Sequence, residues 1–221
     1  MRGDVRAVLF DLDGTLIDSA PDLAGAANDL RAEHGMAPLP YAELRPMVGT
    51  GARGMVGAAF GVTPGDPRFE SLRDAFLARY EARMLQETAV FEAIRPVLLA
   101  LEAVGLPWGI VTNKAARFAE PLVHGLGLAA ASATLICGDT TPHAKPHPAP
   151  LLEAALRMSL APSTCIYVGD DHRDIVAGRA AAMPSLAAGW GYLGRGEAIE
   201  AWGADAVLPV PDALLKWLEL A

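Results

Sequence analysis

Lysine is scarce in this 221-residue chain: Lys114, Lys145 and Lys216 are the only three among eighteen basic residues, against twenty-six acidic ones. The net charge of −8 argues against a nucleic-acid groove or an anionic membrane surface as the main partner, because both reward positive charge. Any anionic ligand must therefore meet local positive charge. Cysteine is nearly absent, and Cys137 and Cys165 sit in apolar, β-branched surroundings that read as strands carrying reduced core thiols. Long apolar runs are missing as well. The run from Ala7 to Phe10 is too short for a signal-peptide core, and the uncharged stretch 121–138 is broken by Pro121, His124, Gly125, Gly127 and Ser132. A cytoplasmic protein without a membrane span is expected.

What the chain does have is apolar content, 52% against 20% charged residues, enough for one domain or a domain with an insertion. Val5 to Phe10 is a buried-strand pattern that ends abruptly in acidic and glycine residues. Further strands are expected at Pro107 to Val111, Thr134 to Cys137, Cys165 to Val168, Ser185 to Ala188 and Ala206 to Leu208. Helical stretches such as Ala115 to Leu126 and Pro148 to Met158 separate them. That alternation predicts an α/β fold, a Rossmann-like parallel sheet with helices on both faces. Between Ser19 and Thr88 the strand signal gives way to helical runs, Pro21 to His34, Ala52 to Phe60 and Phe69 to Gln86. Residues 19–88 are therefore expected to form an inserted helical domain on a core of residues 1–18 and 89–221. The Phe69, Leu72, Phe76, Tyr80 stripe reads as helix packing rather than as a ligand face.

Four expected strand ends carry polar residues: Asp11 with Asp13, Thr112 with Asn113, Lys145 on a Pro-rich loop, and Asp170, Asp171 and Asp174. Ligands in open α/β sheets bind beyond the carboxyl ends of strands, so one crevice can gather all four clusters. The chemistry such a set supports is phosphoryl transfer. Asp11 suits a nucleophile that forms an aspartyl-phosphate, and Asp13 suits an acid that protonates the leaving oxygen and then activates water. Mg²⁺ would find oxygen ligands on Asp11, the Asp13 carbonyl and Asp170, with Asp171 and Asp174 behind them. Thr112 and Asn113 would donate to phosphoryl oxygens, and Lys145 would offset the repulsion between phosphate and nucleophile.

Asp11-Leu12-Asp13-Gly14-Thr15, Val111-Thr112-Asn113, Lys145-Pro146 and Gly169-Asp170-Asp171-His172-Arg173-Asp174 resemble the four ordered motifs of haloacid dehalogenase-like hydrolases. The inserted helices resemble the small helical cap of the phosphoglycolate phosphatase branch. The resemblance implies catalytic roles for Asp11 and Asp13, a Mg²⁺ site at Asp11, Asp13 and Asp170, and a cap that closes over a small phosphorylated metabolite. Gly14, Thr15, Asn113 and the cap residue Arg53 are expected against the substrate, in a monomer or homodimer. The first substrate expectation is 2-phosphoglycolate, whose carboxylate would want Arg53. Gly51-Ala52-Arg53, Thr112-Asn113-Lys114, Arg117 to Pro121 and Trp202 to Asp205 also resemble N-acetylmuramic acid 6-phosphate phosphatases.

Other readings fit less well. A receiver-like phosphoacceptor has no use for Asp13 or for an insertion after the nucleophile. Phosphonate cleavage needs a cap lysine, and residues 19–88 have none. Dehalogenation would leave Asp13 idle, whereas a phosphomutase would use the same aspartates. Gly49 to Gly54 and Gly189 to Gly194 both match G-x-G-x-x-G without its context, so nucleotide binding is not expected. His143 and His147 lie among prolines that forbid a zinc-binding helix, and His172, inside the fourth motif, is placed either to fill a helix start or to touch substrate.

Overall fold

The computed structural model describes residues 4–220. In chain order, β1 (Ala7–Phe10) and the short β2 (Ile17–Asp18) lead into four helices, α1 (Ala20–Glu33), α2 (Tyr41–Leu44), α3 (Gly51–Phe60) and α4 (Phe69–Arg83). After these come β3 (Ala89–Val90), α5 (Arg95–Ala103), β4 (Trp108–Val111), α6 (Ala116–Gly125) and β5 (Leu135–Ile136). The chain continues through α7 (Ala149–Arg157), β6 (Cys165–Gly169), α8 (His172–Ala180), β7 (Ser185–Ala188), β8 (Ala206–Leu208) and α9 (Ala213–Trp217).

Six strands form one parallel sheet in the order β5-β4-β1-β6-β7-β8. All four residues of β1 are buried because both faces of the sheet are covered. Val8 and Phe10 pack into one apolar cluster with Leu98, Leu101 and Leu122, from α5 and α6. Ala7 and Leu9 pack into another with Leu151, Ala154 and Ala177, from α7 and α8. Period-two alternation thus becomes a three-layer fold, each large apolar side chain contributing about 1.5–3 kcal/mol by leaving water. β1 lies between β4 and β6, so the chain turns to opposite sides of it and opens a crevice at its carboxyl end.

The helical segment begins and ends side by side. β2 and β3 pair antiparallel, with Asp18 opposite Ala89, and α1 to α4 lie between them. Phe69, Leu72, Phe76 and Tyr80 are all buried, as the stripe predicts. α4 stops at Arg83 rather than Gln86, because the buried Asp22 carboxylate takes the N–H groups of Glu87 and Thr88 at 3.0 and 2.8 Å and draws the chain out of the helix. No helix of the described residues is long and apolar enough to cross a membrane. Cys137 and Cys165 are buried free thiols, and burial raises the Cys137 thiol to about 11.

Candidate active site

β1 ends at Phe10, so Asp11 leaves the sheet at the crevice between β4 and β6. Its Oδ1 accepts from Leu12 N at 2.7 Å and pairs with Lys145 Nζ at 2.9 Å. Burial, aided by Asp174 and Asp13 and opposed by Lys145, raises the Asp11 carboxyl to about 7. Lys145 is almost fully buried and also meets Asp174 Oδ1 at 2.7 Å, the Tyr167 hydroxyl at 2.6 Å and Val111 O at 3.0 Å. Burial works against its ammonium, but Asp11 and Asp174 outweigh it and hold its pKa above the ordinary lysine value.

Asp13 faces the same cavity and has its own ammonium. Lys114 Nζ donates to its two carboxylate oxygens at 2.9 and 3.1 Å, and Ser19 Oγ donates to Oδ1. Thr112 follows β4, and its Oγ1 accepts from Lys114 N at 3.1 Å, which leaves the hydroxyl proton to donate.

Asp170, after β6, is 3% exposed. Thr15 Oγ1 donates to its Oδ1 at 2.9 Å and Tyr192 N to its Oδ2 at 2.8 Å. Burial, with the anions Asp11 and Asp174, pushes its carboxyl well above the ordinary value. No cation pairs with Asp170 among the described residues, so this buried carboxylate has polar partners but no countercharge. Asp171 and Asp174 form a reciprocal capping box at the start of α8. Burial would raise Asp171, but the two-pronged Arg173 hydrogen bonds outweigh it and hold the carboxyl below its usual value.

Oxygens of Asp11, Asp170 and Asp174 lie within 4.8 Å of one another. Such an all-oxygen donor set, with an uncompensated carboxylate at its centre, fits a hard divalent cation. Asp174 already serves Lys145 and the α8 cap, so Asp11 and Asp170 are the carboxylates left to hold the ion. The Asp13 carboxylate is turned to Lys114 and Ser19, which leaves its backbone carbonyl as the expected ligand.

A cavity of about 550 Å³ joins Asp11, Asp13, Thr112, Asn113, Lys145, Asp170, Asp171 and Asp174. The four expected substrate contacts are placed as follows. Thr15 is fully buried behind Asp170 and, like Gly14, does not line the cavity, since its hydroxyl is committed to that carboxylate. Asn113 lines the cavity, but its side-chain amide donates to Lys145 O and accepts from Lys145 N, both at 2.9 Å, so it positions the lysine loop. Arg53 is exposed and lines an adjoining hollow with Asp171 and Arg173, because the turn preceding α3 presents residues 49–52 inward and carries Arg53 past the rim. Lys114, Ser19, Tyr80, Tyr167 and Arg173 join the site beyond those expectations. Lysine scarcity and the Thr112-Asn113-Lys114 resemblance were the signals for Lys114, and Arg173 lies inside the fourth motif; Tyr80 and Tyr167 depend on contacts distant in sequence.

The G-x-G-x-x-G segments have other uses. Gly191 lies against Asp170, where a β-carbon would collide with the carboxylate side chain, and Gly49 O accepts from Arg173. His143, His147 and His172 are exposed and off the cavity.

With this geometry in view, comparison with known proteins gives a consistent picture. Residues 8–188 match the family model for haloacid dehalogenase-like hydrolases. An N-acetylmuramic acid 6-phosphate phosphatase of Pseudomonas aeruginosa is 42% identical over 220 residues, 100% of this chain and 97% of that protein. A phosphoglycolate phosphatase of Xanthomonas campestris pv. campestris is 47% identical over 210 residues, 95% of this chain and 94% of that protein. Among solved structures, a crystal structure titled as a predicted phosphoglycolate phosphatase from Haemophilus somnus superposes with a TM-score of 0.87 at 24% identity, covering 99% of this chain and 100% of that one. The parallel sheet, the ordered strand-end residues and the match across most of the chain lead to one assignment: the protein belongs to the haloacid dehalogenase-like hydrolases.

Proposed function

We propose that the protein is a Mg²⁺-dependent phosphomonoester hydrolase working through an aspartyl-phosphate on Asp11, with residues 19–88 as a cap over residues 1–18 and 89–221. The observation that carries this reading is a pair of aspartates facing one cavity, each with its own lysine: Lys145 at 2.9 Å from Asp11 and Lys114 at 2.9 Å from Asp13. Leu12 N–H and Lys145 fix one oxygen of Asp11, which leaves the other to attack phosphorus. Asp13 protonates the departing oxygen, then takes a proton from the water that cleaves the acyl phosphate. The Thr112 hydroxyl and the Asn113 backbone N–H serve the phosphoryl oxygens, and Lys145 balances charge between them and Asp11. Mg²⁺, held by Asp11 and Asp170 with the Asp13 carbonyl, would neutralise charge on the transferring group.

The assay is phosphate release from a small ester with Mg²⁺ present. Steady multiple turnover, abolished by a chelator, is expected; a single round of protein labelling without release would instead identify a phosphoacceptor. Asp11→Asn should abolish turnover without lowering the melting temperature, because it removes a charge that burial disfavours. Retained activity would remove Asp11 as nucleophile.

The relatives are named for two substrates, 2-phosphoglycolate and N-acetylmuramic acid 6-phosphate. The family resemblance placed the first ahead, with Arg53 as the cap cation its carboxylate would want. The size of the cavity, about 550 Å³, supports the second, whose sugar ring needs more room than a two-carbon acid. Turnover of both compounds at equal concentration decides between them, and faster hydrolysis of 2-phosphoglycolate would restore the first reading.

A further inference from the structure

Tyr192, on the loop after β7, meets three parts of the molecule at once. Its backbone N–H donates to Asp170 Oδ2 at 2.8 Å. Its ring lies under the Arg45 guanidinium of the helical segment, 5.0 Å from the ring centroid, and Arg45 Nη1 donates to Gly191 O at 3.3 Å. Its hydroxyl reaches the first crossing from the sheet into the helices. There it accepts from Ser19 N at 2.8 Å and Ala20 N at 3.1 Å, and donates to Asp18 Oδ1 at 3.0 Å. Ala20 N–H is shared with Asp18 Oδ1, at 3.2 Å. A phenol with its proton and both acceptor sites engaged is fixed in place, and it fixes what it holds. Tyr192 is 4% exposed and does not line the cavity, so it touches neither substrate nor ion. Ser19, by contrast, is fully buried with its Oγ donating to Asp13 Oδ1.

We infer that Tyr192 is a positioning residue that aims Asp13 as the acid of the reaction: its hydroxyl pins the Ser19 backbone, and Ser19 holds one Asp13 oxygen. The inference rests on the phosphatase reading above. Lys114 also meets Asp13, but an ammonium is a point charge on a flexible stem and supplies charge with little direction. A hydroxyl on a pinned backbone supplies the direction. Direction matters because an acid works only within hydrogen-bond reach of the departing oxygen, and a small misplacement costs rate steeply. The segment Gly189 to Gly194 thereby gains a use that nucleotide binding does not give it. Gly191 allows the loop to press against Asp170, where a β-carbon would collide with the carboxylate. One loop then sets the carboxylate assigned to the ion through its main chain and the acid through a side chain.

The test compares wild type with Tyr192→Phe on phenyl phosphate and 4-nitrophenyl phosphate, two esters of similar shape. Phenolate is the stronger base and needs a proton as it leaves, whereas 4-nitrophenolate departs with little help. The ratio of kcat/KM for the phenyl ester over the nitrophenyl ester should fall about tenfold in the variant, part of the roughly hundredfold or larger contribution of a positioned acid. Phenylalanine keeps the ring and the N–H on Asp170, so a structural role alone would lower both esters together; an unchanged ratio overturns the inference. Ser19→Ala should lower the ratio by a similar factor, and the double variant should fall no further than either single one. Losses that multiply would mean that Tyr192 does not act through Ser19 and would equally overturn it. Should Tyr192→Phe fail to fold, Asp18→Ala, which takes the acceptor from the hydroxyl, must lower the same ratio, and an unchanged value again overturns the inference. Absence of turnover on both esters in wild type is a different result, which removes the phosphatase reading and this inference with it.

Discussion

Asp170 is held by residues that have no chemistry of their own. Gly14 has φ +82°, a region where a side chain is strained, and a β-carbon there would fall inside the Asp170 carboxylate. Gly191 meets the same side chain from the other side, while Thr15 and Tyr192 supply its hydrogen bonds. Gly14→Ala should therefore cost about 1–3 kcal/mol of stability and displace Asp170. Urea unfolding reads the first effect and a Mg²⁺ titration of the remaining activity the second; normal values in both would show the carboxylate free to move aside. Such local requirements explain how far the sequence could be read. The identities and order of Asp11, Lys145 and Asp170 were legible because their chemistry requires those residue types. The directions of Thr15, Asn113 and Arg53 were not, since a one-dimensional motif does not say whether a hydroxyl, amide or guanidinium turns toward the ligand or toward a neighbouring residue. Tyr80 illustrates the same limit: helical spacing marks it as buried, and only the folded chain sets its ring beside the Lys114 ammonium.

At the scale of elements, the alternation of apolar runs made the parallel sheet legible, and β7 and β8 match their expected residues. The end of α4 was less so, because a distant residue settles it. The α4 end depends on Asp22, fully buried in the first turn of α1. Its carboxylate accepts from Thr88 N and Oγ1, each at 2.8 Å, from Glu87 N at 3.0 Å, and from Arg83 Nε at 3.4 Å. One side chain thus joins the start of the helical segment to its return toward β3. Asp22→Ala should destabilise the protein by about 2–4 kcal/mol, since it strands two N–H groups and a hydroxyl around a buried gap, whereas Arg83 keeps Asp29 and Glu87 as partners. Because Asp22 does not line the cavity, the loss should appear in unfolding midpoints at every Mg²⁺ concentration. A loss below 1 kcal/mol would mean that water replaces the carboxylate there.

For the whole molecule, the acidic balance that discourages anionic partners also sets how stability depends on pH and metal. Asp11 and Asp170 both have folded-state pKa values raised above the ordinary 3.8, Asp11 to about 7, chiefly by burial. Without a cation, the folded chain holds these protons more tightly than the unfolded chain. The associated stabilisation is complete below about pH 4 and is lost as pH rises through about 7. A divalent cation supplies the missing countercharge, and it must displace those protons to bind. The gain in melting temperature on adding Mg²⁺ should therefore be small at pH 5 and grow toward pH 8. In Asp170→Asn, which removes one of the two carboxylates left for the ion, that pH-dependent gain should largely disappear. Thermal melts at both pH values, with chelator and with Mg²⁺, measure it directly. An equal gain at pH 5 and pH 8 would place the ion away from the protonated carboxylates and would require a different metal site.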